Sequence, residues 1–281
     1  MLTEELAHEF DFPDVLFERI RSFALQHTGI NLSDAKKNMV YSRLSRRVRS
    51  QFSGSFQAFC EALDADDPDT CEFLINALTT NLTAFFREKH HFDFLAQQWL
   101  PQLRQTQPQQ RRLRIWSAGC STGEEPYSIA ISLLEAMPDI EQWDVRILAT
   151  DLDANVIASA QQGVYDGQRV QAMPVDQVRR WFQRGVGKNS GLVRVREEVR
   201  KRVTFRRLNL LHDWPMRGPF DLIFCRNVVI YFDKETQKTL FDRYANVLSD
   251  TGYLFIGHSE NLFQVTERFR SLGQTVYCKV A

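Results

Sequence analysis

The sequence has few cysteines, and none of them has a spacing that would hold a metal ion or a disulfide framework. Five are present in 281 residues, an odd number, and no C-x-x-C pair occurs. Scattered, unpaired thiols are typical of a reduced protein in the cytoplasm. We therefore expect no zinc or other metal site, and a cytoplasmic location. The cysteines are Cys60, Cys71, Cys120, Cys225 and Cys278.

Net charge and long apolar runs are also missing. The 35 Lys and Arg residues balance the 35 Asp and Glu residues, so no overall field attracts nucleic acid or a membrane surface. The first ten residues, MLTEELAHEF, are acidic and lack the apolar centre of a signal peptide. No uncharged apolar run reaches the length of about 18 residues that a membrane helix needs, and the best candidate, residues 221–232, is interrupted by Arg226. These absences predict no nucleic-acid partner and no membrane insertion.

The usual glycine signatures of phosphate-binding loops are absent as well. Gly119 and Gly123 are spaced G-x-x-x-G, which is neither the P-loop nor the dinucleotide pattern. A cofactor with a pyrophosphate is therefore disfavoured, and a dehydrogenase is the weaker alternative. The loop alone is equally compatible with a tight turn that binds no ligand.

The residues around these glycines predict a strand, a loop and a helix. The run that starts at Arg112 and ends in Gly119 contains three apolar, β-prone residues, and Pro126 marks a helix start after the loop. In doubly wound α/β folds this junction is the ligand crevice, because N–H groups at the helix start point into it. The next strand, residues 145–150, ends in Asp151, whose carboxylate is placed to accept hydrogen bonds from ribose hydroxyls. The pattern predicts an α/β domain with a nucleoside-containing ligand.

Helical spacing precedes this domain, and short strands follow. We expect an all-helical domain over residues 1–77, a linker that covers the cofactor over 78–110, and the α/β domain over 111–281. Apolar and charged residues alternate after a glycine-rich turn, which predicts a small antiparallel β insertion at about 168–202. We also expect a helix over 90–99, a loop over 101–110, and further core strands at 203–208, 220–225, 253–257 and 275–280, the last closing the sheet.

One predicted helix, residues 35–51, carries a stripe of cations and no acid. This pattern fits either a solvated helix face or a docking surface for an acidic partner. Acidic residues follow at 61–69, so the stripe is not a regional bias. Its cations are Lys36, Arg43, Arg46, Arg47 and Arg49.

Four longer motifs resemble a known family. They are TNLTAFFRE at 80–88, WSAGCSTGEEPYS at 116–128, FCRNVVIYFD at 224–233 and GHSEN at 257–261. Together they are similar to the chemotaxis receptor glutamate methyltransferases, the CheR family, over nearly the whole chain. The resemblance implies a helical N-terminal domain and a Rossmann-like domain that binds S-adenosylmethionine and carries the β insertion. It also implies that glutamates on the cytoplasmic helices of methyl-accepting chemotaxis proteins are esterified, with S-adenosylhomocysteine as product.

The same resemblance implies roles for individual residues. Glu125 is expected to bind the methionyl amino group and Asp151 the ribose, while Arg87 and Tyr231 are expected nearest the transferred methyl. The basic helix is expected to dock receptor helices, and the β insertion to bind a receptor C-terminal pentapeptide. The full set of implied cofactor contacts is Asn81, Thr83, Arg87, Gly119, Glu125, Asp151, Asn209, Leu210, Arg226 and Asn227.

The implied chemistry fits the residues. A glutamate side chain is ionised at neutral pH, with a reference pKa of about 4.3, and can attack a sulfonium methyl without a general base. Arg87 suits a carboxylate-positioning role because its guanidinium forms paired hydrogen bonds. Without the resemblance, the residue types favour a structural reading, with Arg87 as a surface charge at a helix end and Tyr231 as a buried aromatic residue. An adaptor that binds the cofactor without turnover is the alternative function.

Overall fold

The N-terminal part of the chain forms four helices in the computed structural model, which describes residues 9–280. Val40, Leu44 and Val48 recur about one helical turn apart and are fully buried. Gly29 ends the first helix in the left-handed conformation, with a φ angle of 72°. These helices confirm the predicted helical region. They are α1 (Asp14–Thr28), α2 (Lys37–Gln51), α3 (Phe56–Asp64) and α4 (Pro68–Leu78).

A short segment from far along the chain belongs with these helices. The backbone N–H of Asn31 donates a hydrogen bond to the carbonyl oxygen of Tyr231 at 3.0 Å. The Tyr231 side chain packs against the helical core. The chain thus divides into two units, one of Met1–Thr80 with Tyr231–Asp233 and one of Asn81–Ile230 with Lys234–Ala281.

In the second unit, one helical stretch continues through a proline. Helix α5 (His90–Phe94) passes through a π-helical turn (Leu95–Trp99) into α6 (Leu100–Thr106). Pro101 has no N–H to donate along the helix, and the wider π turn lies where that hydrogen bond is lost. The prediction of a loop from residue 101 is therefore wrong for its first half.

Seven strands of the second unit form one mixed sheet with the order β6-β2-β1-β7-β8-β10-β9. Strands β6, β2, β1, β7 and β8 run parallel, and β10 is antiparallel to both of its neighbours. The direction of winding changes between β1 and β7, which is where ligands bind in such sheets. The strands are β1 (Arg112–Ala118), β2 (Asp144–Asp151), β6 (Val203–Arg207), β7 (Phe220–Cys225), β8 (Leu248–Ile256), β9 (Phe269–Gly273) and β10 (Val276–Lys279).

The C-terminal end of the sheet differs from the prediction. Strand β10 lies inside the sheet between β8 and β9, so it does not close it. The edge strand is β9, of which only Phe269 is buried. An exposed strand with a single apolar anchor gives no alternating pattern, and the sequence therefore did not indicate it. The helices beside the sheet are α7 (Glu124–Ala136), α8 (Ala154–Gln162) and α11 (Lys234–Val247).

The predicted β insertion forms a separate three-stranded antiparallel sheet with the order β3-β5-β4. Its strands are β3 (Val164–Asp166), β4 (Phe182–Arg184) and β5 (Leu192–Val195). It also contains the short helices α9 (Val175–Trp181) and α10 (Glu197–Arg200). The small sheet begins a few residues before position 168, because β3 follows α8 directly.

Among residues 9–280, none of the helices combines the length and the apolar content that crossing a membrane requires. The first ten residues are predicted not to be a signal peptide. Residues 1–8 of that segment lie outside the part of the chain that the structure describes.

Candidate active site

The loop after β1 is shaped by a glycine that admits no side chain. Gly119 has a φ angle of 100°, and a Cβ atom there would lie 2.3 Å from Cγ2 of Val228. Its N–H donates to the carbonyl oxygen of Thr150 at 2.8 Å, which holds the loop against the end of β2. Gly123, with φ of 97°, then leads directly into α7. The two glycines bring the start of α7 close to the ends of β1 and β2.

Glu125, in the first turn of α7, is buried and engaged by two donors. Its Oε1 accepts a hydrogen bond from Ser117 Oγ at 2.7 Å, and its Oε2 accepts one from Arg226 Nη1 at 3.1 Å. Burial raises the pKa of Glu125, and the Arg226 guanidinium and the Ser117 hydroxyl oppose that rise. Because both oxygens accept from donors, the contacts are those of an ionised carboxylate.

Arg226, at the exit of β7, is only 6% exposed and also contacts the segment before α5. Its Nη2 lies 3.3 Å from Glu88 Oε2 and donates to the carbonyl oxygen of Arg87. The guanidinium lies 5.8 Å from the centre of the Phe92 ring. Arg226 thereby connects Glu125 to the segment that carries Arg87.

Asp151, at the tip of β2, is oriented by two backbone donors. The N–H of Ser121 donates to its Oδ2 at 2.8 Å, and the N–H of Asp153 to its Oδ1 at 3.1 Å. Burial raises the pKa of Asp151, while these hydrogen bonds oppose the rise. Asn81 reaches the same place, because its Nδ2 donates to Asp153 Oδ2 at 2.8 Å and its carbonyl accepts from Ser121 Oγ at 2.9 Å. Predicted contacts from two distant segments thus meet here.

Two further cofactor contacts implied by the resemblance, Asn209 and Leu210, lie in a turn after β6. Asn209 Oδ1 accepts a hydrogen bond from the N–H of Leu211 at 3.0 Å. The carbonyl oxygen of Leu210 accepts one from Arg243 Nη1 at 2.6 Å. The Arg243 guanidinium lies 4.1 Å from the centre of the Trp214 ring, which fixes the turn against α11.

Two parts of the site were missed by sequence reasoning. Glu260 accepts from the backbone N–H groups of Asn227 at 3.0 Å and Val229 at 3.0 Å, and so holds the β7 exit. Glu124, fully buried, pairs with Arg169 of the insertion at 2.8 Å. The GHSEN motif was the one signal for Glu260, and its role depends on a contact 33 residues away.

The structure places the two predicted catalytic side chains in different units. Arg87 belongs to the second unit, where its Nη1 donates to the carbonyl oxygen of Leu82 at 2.9 Å. Thr83 lies in the same segment, and its carbonyl oxygen accepts from Arg169 at 3.3 Å. Tyr231 belongs to the helical unit described above. Its catalytic role, and that of Arg87, stays a prediction.

Beside Arg226 the structure groups Glu88, His90 and His91, whose ligand atoms lie within 4.8 Å of one another. His91 is fully buried, and its Nε2 contacts the carbonyl oxygen of Gln274 at 3.1 Å. Burial and the nearby Arg226 charge lower the pKa of His91 to about 3. Since Arg226 already provides a cation beside Glu88, we assign no metal ion to this group.

The neutral state of His91 predicts a pH-dependent stability. In the unfolded chain its imidazole takes up a proton below about pH 6.5, whereas the folded one stays neutral down to about pH 3. The stability that this group contributes is thus present above pH 6.5 and is lost as the pH falls, by up to about 1.4 kcal/mol per pH unit. We expect the difference in free energy of unfolding between wild type and His91→Gln to fall between pH 6.5 and pH 4 in denaturant titrations. A difference that stays constant would contradict a neutral, buried His91.

The polar groups of this site fit S-adenosylmethionine. Of the two acceptor carboxylates, Glu125 lies in the helix after β1 and Asp151 is the last residue of β2. These two strands are parallel neighbours, and their ends pair at Ala118 and Thr150. One carboxylate suits an ammonium group and the other a pair of ribose hydroxyls. When bound, this cofactor supplies a methyl group on a positively charged sulfur. The fold and this site define an S-adenosylmethionine-dependent methyltransferase.

Comparison with known proteins gives the family. The chain matches the model of the CheR methyltransferase SAM-binding domain over residues 81–278 and that of the CheR methyltransferase all-alpha domain over 16–79. It is 48% identical over 270 residues to chemotaxis protein methyltransferase 2 of Pseudomonas aeruginosa, covering 96% of this chain and 94% of that protein. It is 42% identical over 279 residues to the chemotaxis protein methyltransferase of Escherichia coli, covering 98% and 93%.

The chain belongs to the CheR methyltransferase family. The predicted fold class, the S-adenosylmethionine cofactor and a methyltransferase function in chemotaxis are thereby confirmed.

Proposed function

We propose that the protein transfers the methyl group of S-adenosylmethionine to glutamate side chains on the cytoplasmic helices of chemoreceptors and acts in the cytoplasm. The observation that carries this is the pair of carboxylates formed by Asp151, at the end of β2, and Glu125, in the first turn of α7 and hydrogen-bonded to Ser117 of β1. Glu125 holds the methionyl amino group and Asp151 the ribose. Asn81, Thr83, Gly119, Asn209, Leu210, Arg226 and Asn227 complete the proposed cofactor site.

The residues support direct transfer to a carboxylate. A receptor glutamate is ionised at neutral pH, so one of its oxygens forms a bond to the methyl carbon while the carbon–sulfur bond breaks and its electron pair stays on sulfur. No proton moves, and no general base is required. The protein's contribution is alignment and the exclusion of water. Arg87 is proposed to orient the carboxylate, and Tyr231 remains a predicted neighbour of the methyl group.

A transfer assay with labelled S-adenosylmethionine and purified receptor cytoplasmic fragments tests this function. A glutamyl methyl ester is hydrolysed by mild base and releases volatile labelled methanol, whereas an N-methyl group is stable. We expect base-labile label on receptor glutamates. Base-stable label, or no transfer to any receptor of the same cell, would contradict the proposal.

The basic helix α2 is the proposed docking surface, but its cations do not have equal roles. Arg43 is half-buried, and its Nη1 donates to the carbonyl oxygens of Ala77 at 3.0 Å and Thr79 at 3.0 Å. Arg43 therefore satisfies carbonyl groups at the end of α4. This structural role differs from the solvent-exposed charge that the sequence predicts. The Arg47 guanidinium lies 5.1 Å from the centre of the Phe73 ring. Arg46, and Lys36 just before α2, are exposed and remain available to a partner. Arg49 is also exposed, but it pairs with Glu9.

Arg46→Glu is expected to lower receptor methylation about two- to five-fold, because a surface charge pair contributes up to about 1 kcal/mol. The loss should shrink at high salt, since exposed charges are screened. Affinity for S-adenosylhomocysteine should not change. Arg217→Glu, which reverses an exposed arginine outside α2, is the matched control. An equal loss in both variants, or a parallel loss of cofactor affinity in Arg46→Glu, would argue against docking through α2.

The β insertion is the proposed site for a receptor C-terminal pentapeptide. Its outer strands, β3 and β4, each pair with β5 on one side, and Gln183 and Arg184 of β4 are exposed. A strand edge of this kind can accept an extended peptide by backbone hydrogen bonding. Titration with receptor C-terminal pentapeptides tests the proposal, and an absence of binding to any of them would overturn it.

A further inference from the structure

Glu88 has no role among the predicted site residues, yet its carboxylate reaches two strand ends. Its Oε1 accepts hydrogen bonds from the N–H of His258 at 3.3 Å and from His258 Nδ1 at 3.0 Å, beyond the end of β8. Its Oε2 lies 3.3 Å from Arg226 Nη2, at the end of β7. The side chain is 10% exposed. Glu88 and Glu125 therefore share one cation, Arg226.

The charges of this buried group do not balance. Arg226 contributes one positive charge, while Glu88 and Glu125 contribute two negative charges. His91, the other ionisable group in contact, is neutral at physiological pH because burial lowers its pKa to about 3. Burial acts to raise the pKa of Glu88, but the His258 hydrogen bond and the Arg226 charge outweigh it, and the pKa lies below its usual value. The His258 side chain is 70% exposed, so water screens any charge on it.

An uncompensated buried carboxylate is unfavourable unless a cation completes the group. The backbone indicates that the arrangement is held in place. Phe86 and Glu88 both adopt left-handed conformations, with φ of 54° and 55°, which cost free energy for residues with side chains. The N–H of Phe86 donates to Ser128 Oγ at 2.9 Å, and the carbonyl oxygen of Arg87 accepts from Arg226. The segment is thus tied to α7 and β7 in a conformation that aims Glu88 at Arg226.

We propose that Glu88 is a positioning residue that gives the Glu125 subsite its excess negative charge and so selects a ligand with a primary ammonium group. Glu88 draws the Arg226 charge away from Glu125, and this leaves Glu125 able to pair with the ammonium. The inference rests on the proposed function, in which Glu125 holds the methionyl amino group.

The test compares three nucleosides on Glu88→Gln, which keeps the shape of the side chain and removes its charge. S-adenosylhomocysteine carries both an ammonium and a carboxylate, its decarboxylated analogue carries the ammonium alone, and 5′-methylthioadenosine carries neither. Dissociation constants are measured by competition against a labelled ligand, so that weak binding is also quantified. We expect Glu88→Gln to weaken the two amines about ten-fold, the scale of one charge-assisted hydrogen bond, and to leave 5′-methylthioadenosine within two-fold.

Equal weakening of all three ligands would show a merely structural role and overturn the proposal, as would unchanged binding of the amines. Weakening of S-adenosylhomocysteine alone would assign the effect to its carboxylate and also overturn it. Asp221→Asn is the matched control, because Asp221 is a carboxylate at the start of β7, the end of that strand away from Arg226, where it accepts from the N–H of Arg114 at 2.7 Å. Its ratio of amine to 5′-methylthioadenosine affinity should equal that of wild type. The failure of this inference is distinct from failure of the proposed function, which the base-labile label on receptors tests in the wild-type protein.

Discussion

Asp151→Ala is expected to raise the dissociation constant of S-adenosylhomocysteine on the order of a hundred-fold. The carboxylate at the tip of β2 is fixed by the N–H groups of Ser121 and Asp153, so its remaining acceptor positions are preorganised. Each hydrogen bond from a ribose hydroxyl to a charged acceptor is worth about 1.5–3 kcal/mol. The expected loss of affinity is smaller than the sum of two such bonds, because water partly replaces the lost carboxylate. Isothermal titration calorimetry measures the change directly.

The control for this prediction is on the same strand. Asp144, at the other end of β2, pairs with Arg114 and Arg146 on the surface, and Asp144→Ala should leave the affinity unchanged. Asp151→Asn should fall between wild type and Asp151→Ala, because an amide keeps one acceptor oxygen but loses the charge. Unchanged affinity in Asp151→Ala, with the protein still folded, would remove the ribose assignment.

Arg87→Ala is expected to lower the rate of methyl transfer by a factor of about 10²–10³ while the protein stays folded. The Arg87 side chain is held by the carbonyl oxygen of Leu82, and its own carbonyl oxygen by Arg226. A guanidinium fixed in this way can orient a carboxylate through paired hydrogen bonds, and loss of orientation has effects of this size. The measurement is single-turnover methyl incorporation into receptor fragments at saturating S-adenosylmethionine.

Arg87→Lys separates charge from geometry. A lysine keeps the positive charge but has no planar fork, so its rate should remain far below wild type if paired hydrogen bonds matter. The melting temperature of both variants shows whether the fold is intact. Methyl incorporation by Arg87→Ala within a few-fold of wild type would refute the role.

The strands that position the site were predictable because their patterns are local. β1 and β7 are apolar along most of their length, as buried parallel strands are, and each is followed by a polar or small-residue turn. A carboxylate at the carboxyl end of a strand of this kind indicates the ligand edge of the sheet, and Asp151 at the end of β2 is predictable on this basis. The helices of the first unit follow from apolar spacing and from Gly29.

Other features depend on tertiary structure. Strand β9 has only one buried residue, so it shows no alternating pattern. Pro101 predicts a helix end, but the π turn before it accommodates the missing N–H and the helix continues. Arg43 also depends on tertiary structure. The sequence places it on a charged helix face, but in the structure it donates hydrogen bonds to the end of α4 and so stabilises the fold.

The charged contacts of the site could not be predicted for a related reason. Arg226 meets Glu125 across 101 residues, and Arg169 meets Glu124 across 45. No local pattern marks such partners. The resemblance supplied Glu125 and Arg226 as separate contacts, but only the structure joins them through Glu88 into one group of buried charges.

The most direct test of the account is a crystal structure of the protein with S-adenosylhomocysteine. We predict that the amino group lies within hydrogen-bond distance of Glu125 and the two ribose hydroxyls within the same distance of Asp151. A ligand bound away from the ends of β1 and β2, or one whose amino group contacts neither Glu125 nor its neighbours, would contradict the account.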